Sequence, residues 1–348
     1  MNRTVLSPDI PGLLVDWYRE NARDLPWRRD SSPYRVWVSE IMLQQTRVDT
    51  VIPYYERFLT ELPEIRALAE CGDERLYKLW EGLGYYSRAR NLRAAAWMIE
   101  ERHGGVFPSG YEDILALPGV GPYTAGAIAS ICFGAGTPAV DGNVLRVVAR
   151  LTELALDVGG TAARQAVTRA LAEIYPDGRD ARSGDFTQAL MELGATVCLP
   201  NGPPRCVACP LCNLCAARLG GTTGRYPLKA PKEARRVEEL SVLLLQCEGA
   251  LALRKRGEDG LLAGLWELPN LAGKIDERGV LETASGWGLD PVGQPASYRC
   301  RHIFTHVEWR MTCYALDCRS RSTNFVWATG DELEKRFALP TAFRRCLR

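Results

Sequence analysis

Lysine is scarce in this chain. It supplies only 6 of the 43 lysines and arginines, and none lies between Lys78 and Lys229. Chemistry that runs through a lysine Schiff base is therefore excluded from that whole stretch. Histidine is scarcer still, at 3 residues. No apolar run in the sequence approaches the length of a membrane span. The first residues, Met1 to Leu14, lack the basic-then-apolar layout of a signal peptide. There is no internal repeat and no low-complexity tract. The expected setting is a reducing cytoplasm, where cysteines remain thiols. A net charge of +1 sets up no global attraction to nucleic acid. The cations are mostly arginine, whose planar fork suits phosphate, but a GC-rich genome would give the same bias.

What the chain does hold is thiol. Cys198, Cys206, Cys209 and Cys215 are spaced C-x7-C-x2-C-x5-C, in a segment crowded with Pro200, Gly202, Pro203, Pro204 and Pro210. That composition makes a loop, and thiolates at short fixed spacing suit iron or zinc. Cys212 is a spare thiol in the same run and a fallback ligand. Other cysteines, among them Cys71, Cys132, Cys247, Cys300, Cys313 and Cys318, read as small core residues.

Residues 9 to about 218 show helical periodicity, as in Leu13, Leu14, Trp17 and Tyr18 and again in Val144, Val147, Val148 and Leu151. A polar stretch rich in glycine and proline follows and reads as a linker. The pattern then changes to strands: an apolar run from Ser241 to Gln246, alternation around Leu251 and Leu253, and alternation again from Val307 to Leu316. At 348 residues the chain has room for two cores. The expected fold is multidomain, with an all-α domain over 1–218, a linker over 219–235 and a smaller α/β domain over 236–348.

Within the helical part, residues 109–133 form a second signature. Ser109 and Glu112 match a capping box, expected to start a short helix through Leu115. Leu117-Pro118-Gly119-Val120-Gly121 stops it, and Pro122 suits the first turn of the next helix. Gly119 and Gly121 leave backbone amides bare beside a positive helix end, a ready site for one DNA phosphate.

This hairpin, then Val140-Asp141-Gly142-Asn143-Val144, then a four-cysteine loop, resembles the helix-hairpin-helix DNA glycosylases that carry an iron–sulfur cluster. Asp24 to Arg28, Trp37 to Thr46 and Glu81 to Arg88 narrow the resemblance to the MutY-type adenine DNA glycosylases, over nearly the whole chain. One departure is the first cysteine gap, seven residues here where the family usually has six. The resemblance implies a 4Fe–4S cluster in the loop 198–215 and a Nudix-like C-terminal domain. It also implies a monomeric, cytoplasmic, nucleoid-associated enzyme with no membrane partner. The partner implied is double-stranded DNA carrying 8-oxoguanine:adenine or guanine:adenine mispairs, from which adenine is removed.

Breaking a purine N-glycosidic bond calls for a proton donor and a carboxylate beside the cationic sugar. Glu40 and Asp141 are the candidates. Glu40 sits among Trp37, Ile41 and Leu43, where burial would raise its pKa; a surface pairing with an arginine such as Arg47 is the alternative. The resemblance implies that Glu40 protonates adenine N7. It gives Asp141, which also reads as a helix N-cap, the cationic sugar to stabilise, by charge or by a covalent bond. Asn143 would orient the carboxylates and Tyr123 would add a hydrogen bond. Tyr123 stands where strand-cutting relatives carry lysine, so a monofunctional glycosylase is expected. The adenine must be flipped out of the duplex. By the same resemblance Arg23, Trp27, Arg28 and Glu192 line its pocket, while Gln45, Thr46, Leu83 and Tyr85 fill the gap and meet the 8-oxoguanine. Near the C-terminus, Gly260 to Asn270 resembles the family's Nudix-related domain. Only Glu277 and Glu282 follow it, too few for a magnesium-holding helix, so no pyrophosphohydrolase activity is expected. Phe304-Thr305-His306 matches the family's 8-oxoguanine loop, with Thr305 bonding the lesion edge and His306 probing the groove.

Overall fold

The computed structural model describes residues 5–176, 182–231 and 234–347; of the expected linker, Lys232 and Glu233 lie outside the described residues. The chain divides into two compact units. One comprises Met1–Glu70 and Asn91–Pro231, the other Cys71–Arg90 and Lys232–Arg348. The segment 71–90, although embedded in the helical part of the sequence, thus clusters with the C-terminal residues.

Helices dominate the first stretch: α1 (Ile10–Asn21), α2 (Pro33–Leu43), α3 (Val48–Glu61), α4 (Ile65–Ala69), α5 (Asp73–Trp80), α6 (Ser87–His103), α7 (Tyr111–Leu115), α8 (Pro122–Phe133), α9 (Gly142–Leu151), α10 (Thr161–Ala172), α11 (Arg182–Thr196) and α12 (Ala216–Leu219). In the first unit, Leu14 and Tyr18 of α1 pack with Val144, Val148 and Leu151 of α9, Val167 of α10 and Phe186 and Leu190 of α11. Helix α8 is buried continuously from Thr124 to Ser130. Its small side chains allow that, because neighbouring backbones can approach closely. The capping box expected at Ser109 does not form. Gly110 takes the N-cap position with an extended backbone and α7 begins at Tyr111, so the pattern is displaced by one residue. The turn between α7 and α8 falls where expected; in it Gly119 has φ +76, and a Cβ there would lie 2.6 Å from Asn91 Cβ, so the position is closed to larger residues. Pro122 occupies the first turn of α8.

The second unit is built on a mixed seven-stranded sheet, order β3-β2-β1-β6-β5, with β4 paired to β1 and β7 to β2. The strands are β1 (Arg236–Cys247), β2 (Ala250–Lys255), β3 (Trp266–Glu267), β4 (Asn270–Ala272), β5 (Pro291–Ile303), β6 (Val307–Cys318) and β7 (Val326–Thr329). Helices α13 (Glu277–Gly286), α14 (Gly330–Lys335) and α15 (Thr341–Arg344) complete it. The central strands β1 and β6 run parallel. Each feeds two cores: Val242, Leu244, Trp309 and Met311 face one side, Leu243, Leu245, Tyr314 and Leu316 the other. Burial on both faces is why Ser241 to Gln246 reads as a continuous apolar run rather than an alternation. Five of the scattered cysteines, Cys71, Cys247, Cys313, Cys318 and Cys346, are buried as expected of core residues; Cys132 and Cys300 are only partly so. The Gly260–Asn270 motif is held by Glu267. Its buried carboxylate takes Arg254 at 2.8 Å, Asn270 Nδ2 at 2.8 Å and Arg256. No helix among the described residues is long and apolar enough to cross a membrane.

Candidate active site

A cleft of about 760 Å³ opens in the first unit, walled by α2, the α7–α8 hairpin, the start of α9 and α11. Glu40 reaches it from α2, a helix buried from Val36 to Met42, and is itself only 6 % exposed. Its partner is Tyr123, whose hydroxyl donates to Glu40 Oε2 at 2.6 Å. Arg47, the alternative partner, lies exposed at the start of α3. Burial pushes the Glu40 carboxyl up to about 7; the Tyr123 bond pulls it down, the charge of Asp141 raises it and Arg28 lowers it. Burial, and then the negative charge of Glu40 and Asp141, keep Tyr123 a phenol well above its usual range.

Asp141 caps α9. Its Oδ1 accepts the Val144 N–H at 2.7 Å and its Oδ2 accepts Asn143 Nδ2 at 2.7 Å. Burial raises its pKa, and these bonds together with the Arg146 charge oppose that rise. Asn143 is fixed in turn: its Oδ1 accepts Arg146 Nη2 at 2.8 Å. Gly194 of α11 leaves room for it, since a Cβ there would lie 2.5 Å from Asn143 Cβ. The cleft therefore presents a carboxyl poised near neutrality and a second carboxylate at a helix mouth, with donors that favour its ionised form.

Arg23, Trp27, Arg28 and Glu192 line the same cleft. Glu192 is fully buried. Its Oε1 takes Arg23 Nε at 2.6 Å and its Oε2 takes Arg28 Nη2 at 2.7 Å. Burial would raise this carboxyl, but the two guanidiniums outweigh it and hold the group below its usual range. Arg28 also stacks 5.3 Å from the Tyr18 ring centre. Gln45, Thr46, Gly119 and Gly121 complete the rim. Gln45 adopts φ +57 and Tyr85 φ +49, conformations rare for residues with side chains and common at binding sites.

Leu83, Tyr85, Phe304, Thr305 and His306 belong to the second unit. Leu83 is buried, whereas Tyr85 is 44 % exposed and its hydroxyl lies 2.8 Å from Thr305 Oγ1. Phe304 anchors its loop by edge contacts with His302 and Trp309 at 4.5 and 4.9 Å. Thr305 and His306 stay exposed.

The cysteine loop lies against α9 and α11 in the first unit. Cys198, Cys206, Cys209, Cys212 and Cys215 all line one small cavity. Cys212 turns its thiol to Asn213 Oδ1 at 3.5 Å. Burial, with charge on Cys198, Cys215 and Cys206 adding to it and a backbone bond from Leu211 opposing it, raises the Cys209 thiol to about 12. Among the described residues no group of three or more histidine, cysteine or acidic side chains is drawn closely enough together to hold a metal ion. What the loop offers is its donor chemistry: thiols around one cavity, of the type that suits a soft metal. Arg150 Nη1 stands 3.2 Å from Cys198 Sγ as a ready charge-assisted donor.

Arg146 escaped the sequence argument. It is buried, and besides Asn143 it bonds the carbonyls of Cys198 at 2.7 Å and Gly194 at 2.8 Å. It thus connects the cysteine loop to the residue that holds Asp141. The available signal was an arginine on the apolar stripe of α9, between Val144 and Val148.

Comparison with known proteins bears on the family and the fold. Residues 38–176 match the HhH-GPD superfamily base excision DNA repair protein family and residues 241–348 match the NUDIX domain. The chain is 36% identical to the adenine DNA glycosylase of Homo sapiens, over 97% of its own length and 73% of the human protein. It is 32% identical to that of Schizosaccharomyces pombe, over 92% of its length and 85% of the relative. Among solved structures, a thermostable thymine-DNA glycosylase superposes with a TM-score of 0.53 at 27% identity, covering 60% of this chain and 95% of that one. Endonuclease III in a complex with DNA shares the fold, with a TM-score of 0.52, 22% identity and coverage of 62% and 99%. A DNA-binding base-excision glycosylase with a helical HhH-GPD domain and a NUDIX-like domain, the chain belongs to the adenine DNA glycosylase family.

Proposed function

We propose that the protein hydrolyses the N-glycosidic bond of adenine mispaired with 8-oxoguanine or guanine, acting as a monomer and leaving an intact abasic site. The observation that carries this reading is the buried Glu40, bonded to Tyr123 and held near pH 7, in one cleft with Asp141. In the proposed sequence Glu40 passes its proton to adenine N7, the C1′–N9 bond breaks and the base leaves neutral. The sugar carries oxocarbenium charge, and the Asp141 carboxylate stabilises it. Water adds to C1′ and its proton goes to a carboxylate. Asn143 keeps Asp141 aimed and Tyr123 keeps Glu40 aimed.

The flipped adenine occupies the pocket lined by Arg23, Trp27, Arg28 and Glu192, while Gly119 and Gly121 amides hold a phosphate. Gln45 and Thr46 of the first unit fill the vacated stack, and Tyr85 of the second, with Thr305 and His306 on the Phe304 loop, meets the opposite base; Leu83, expected to join them, is buried and packs inside its own unit instead. Cys198, Cys206, Cys209 and Cys215 would hold a 4Fe–4S cluster, which supplies a tether for the loop when bound. With a phenol at 123 and no lysine between 78 and 229, Schiff-base strand cleavage is not part of the activity. The NUDIX-like unit acts in recognition rather than pyrophosphate hydrolysis, since α13 offers only Glu277 and Glu282 where magnesium asks for clustered carboxylates.

The test uses three duplexes: adenine opposite 8-oxoguanine, adenine opposite guanine, and thymine opposite guanine. After incubation and hot alkali, breaks are expected at adenine in the first two, with nothing trapped by borohydride. Breaks only at thymine would overturn the reading.

A further inference from the structure

We infer that Glu81 is a positioning residue for reading the base opposite adenine, because it locks the segment carrying Tyr85 to the C-terminal helices. The inference rests on the proposed function and deepens it. Glu81 ends α5, immediately before the loop that holds Leu83 and Tyr85. Its side chain is 12% exposed and every oxygen is used. Oε1 accepts Arg344 Nε at 2.7 Å and the Leu339 N–H at 2.8 Å. Oε2 accepts Lys78 Nζ at 2.6 Å, and Lys78 also donates to the Leu333 carbonyl at 2.9 Å. A mostly buried carboxylate with three charge-assisted or backbone bonds is a strong clamp, unlike an exposed ion pair.

Four residues on, Tyr85 makes the second attachment, its 2.8 Å bond to Thr305. That bond is exposed and neutral, and water competes for both hydroxyls, so it is weak by itself. It persists where the loop is already held in place, which converts it to an intramolecular contact at high effective concentration. Arg88 stiffens the intervening turn through the Leu83 and Gly84 carbonyls, both at 3.1 Å. Glu81 is thus the fixed end and Tyr85 the reading end of one short lever. Loosening Glu81 separates Tyr85 from Thr305 and blunts recognition of the opposite base. Glu40 and Asp141 belong to the other unit and keep their chemistry.

The experiment measures single-turnover adenine release by full-length wild type, Glu81→Gln and Arg344→Leu, from duplexes with 8-oxoguanine or guanine opposite. The rate ratio between the two duplexes is expected to fall about tenfold in both variants, with the guanine-opposed rate altered by less than about twofold. The double variant is expected to lose no more than either single one. Arg344→Lys, which keeps a charge for Glu81, is expected to restore part of the ratio. A purely structural role would lower both rates together, or only the melting temperature, and either result overturns the inference. If the Glu81 and Arg344 variants fail to fold, Tyr85→Phe takes their place: it removes only the hydroxyl, and an unchanged ratio rejects the lever. A wild type that does not distinguish the two duplexes would instead sink the proposed lesion preference itself.

Discussion

Tyr123→Phe isolates the one bond that tunes Glu40. The phenol donates to Glu40 Oε2 at 2.6 Å and so favours the ionised carboxylate, against the burial that raises its pKa to about 7. Phenylalanine keeps the ring and the burial and deletes the donor. A hydrogen bond to a charged group contributes about 1.5–3 kcal/mol, and one pKa unit is about 1.36 kcal/mol. Glu40 should therefore rise by about 1–2 units, to roughly pH 8–9. The sign is fixed: the acid form, which donates the proton, survives to higher pH. In wild type the rate of the chemical step falls about tenfold per pH unit above about 7; in the variant that limb moves to the alkaline side by the same 1–2 units, roughly. The plateau itself drops, because Glu40 loses its aim. The assay is single-turnover adenine release with enzyme in excess, from about pH 5.5 to about pH 9.5. An alkaline limb that stays put, or moves toward acid, refutes the assignment of Glu40 as the titrating acid.

The remaining expectations are independent of one another. Glu40→Gln trades activity for stability in a defined window. The folded pKa of Glu40, about 7, exceeds its ordinary 4.5, so its contribution is whole below pH 4.5 and lost as pH rises through about 7. Glutamine never ionises, so in urea unfolding the variant should gain roughly 3 kcal/mol on wild type between pH 4.5 and pH 8, while adenine release is lost. Arg146→Met leaves the Cys198 and Gly194 carbonyls and Asn143 Oδ1 without their donor. It should cost about 1–3 kcal/mol in the same assay and slow excision more than it weakens DNA binding. Equal loss of both would detach Arg146 from Asp141. For the cluster proposed in the cysteine loop, purified wild type should contain iron and absorb broadly near the violet, and a colourless wild type would overturn the proposed cluster. Cys212→Ser should keep that signature and Cys198→Ser should lose it. The reverse would make Cys212 the ligand.

Much of the fold is legible where one local rule suffices. Asp141 followed by an apolar stripe gives an N-cap, and the cap forms. Leu117 to Pro122 gives a helix stop and a helix start, and both are present; the left-handed backbone of Gly119 is seen only in the structure. Ser241 to Gln246 and Val307 to Leu316 become the adjacent central strands. At Ser109 the rule fails by one residue, because a glycine preceding tyrosine can take the extended N-cap geometry without a side-chain acceptor. Long-range partnerships are illegible to local rules. Glu40 and Tyr123 are 83 positions apart, and Glu81 and Arg344 are 263 apart. The second pair lies inside the unit that joins residues 71–90 to the C-terminal part of the chain, a grouping that no local pattern announces. Arg146 is hidden for a different reason: a cation in an apolar stripe reads as a surface residue until the carbonyls that satisfy it are seen.

The central claim is that an acid and a counter-charge act on one flipped adenine. Adenine release by Asp141→Asn tests it most directly, with the variant bound to a duplex carrying adenine opposite 8-oxoguanine. Asparagine keeps the size and an oxygen for the Val144 N–H but carries no charge for the sugar. Binding close to that of wild type with no detectable release is the predicted result; release at the wild-type rate would contradict the account.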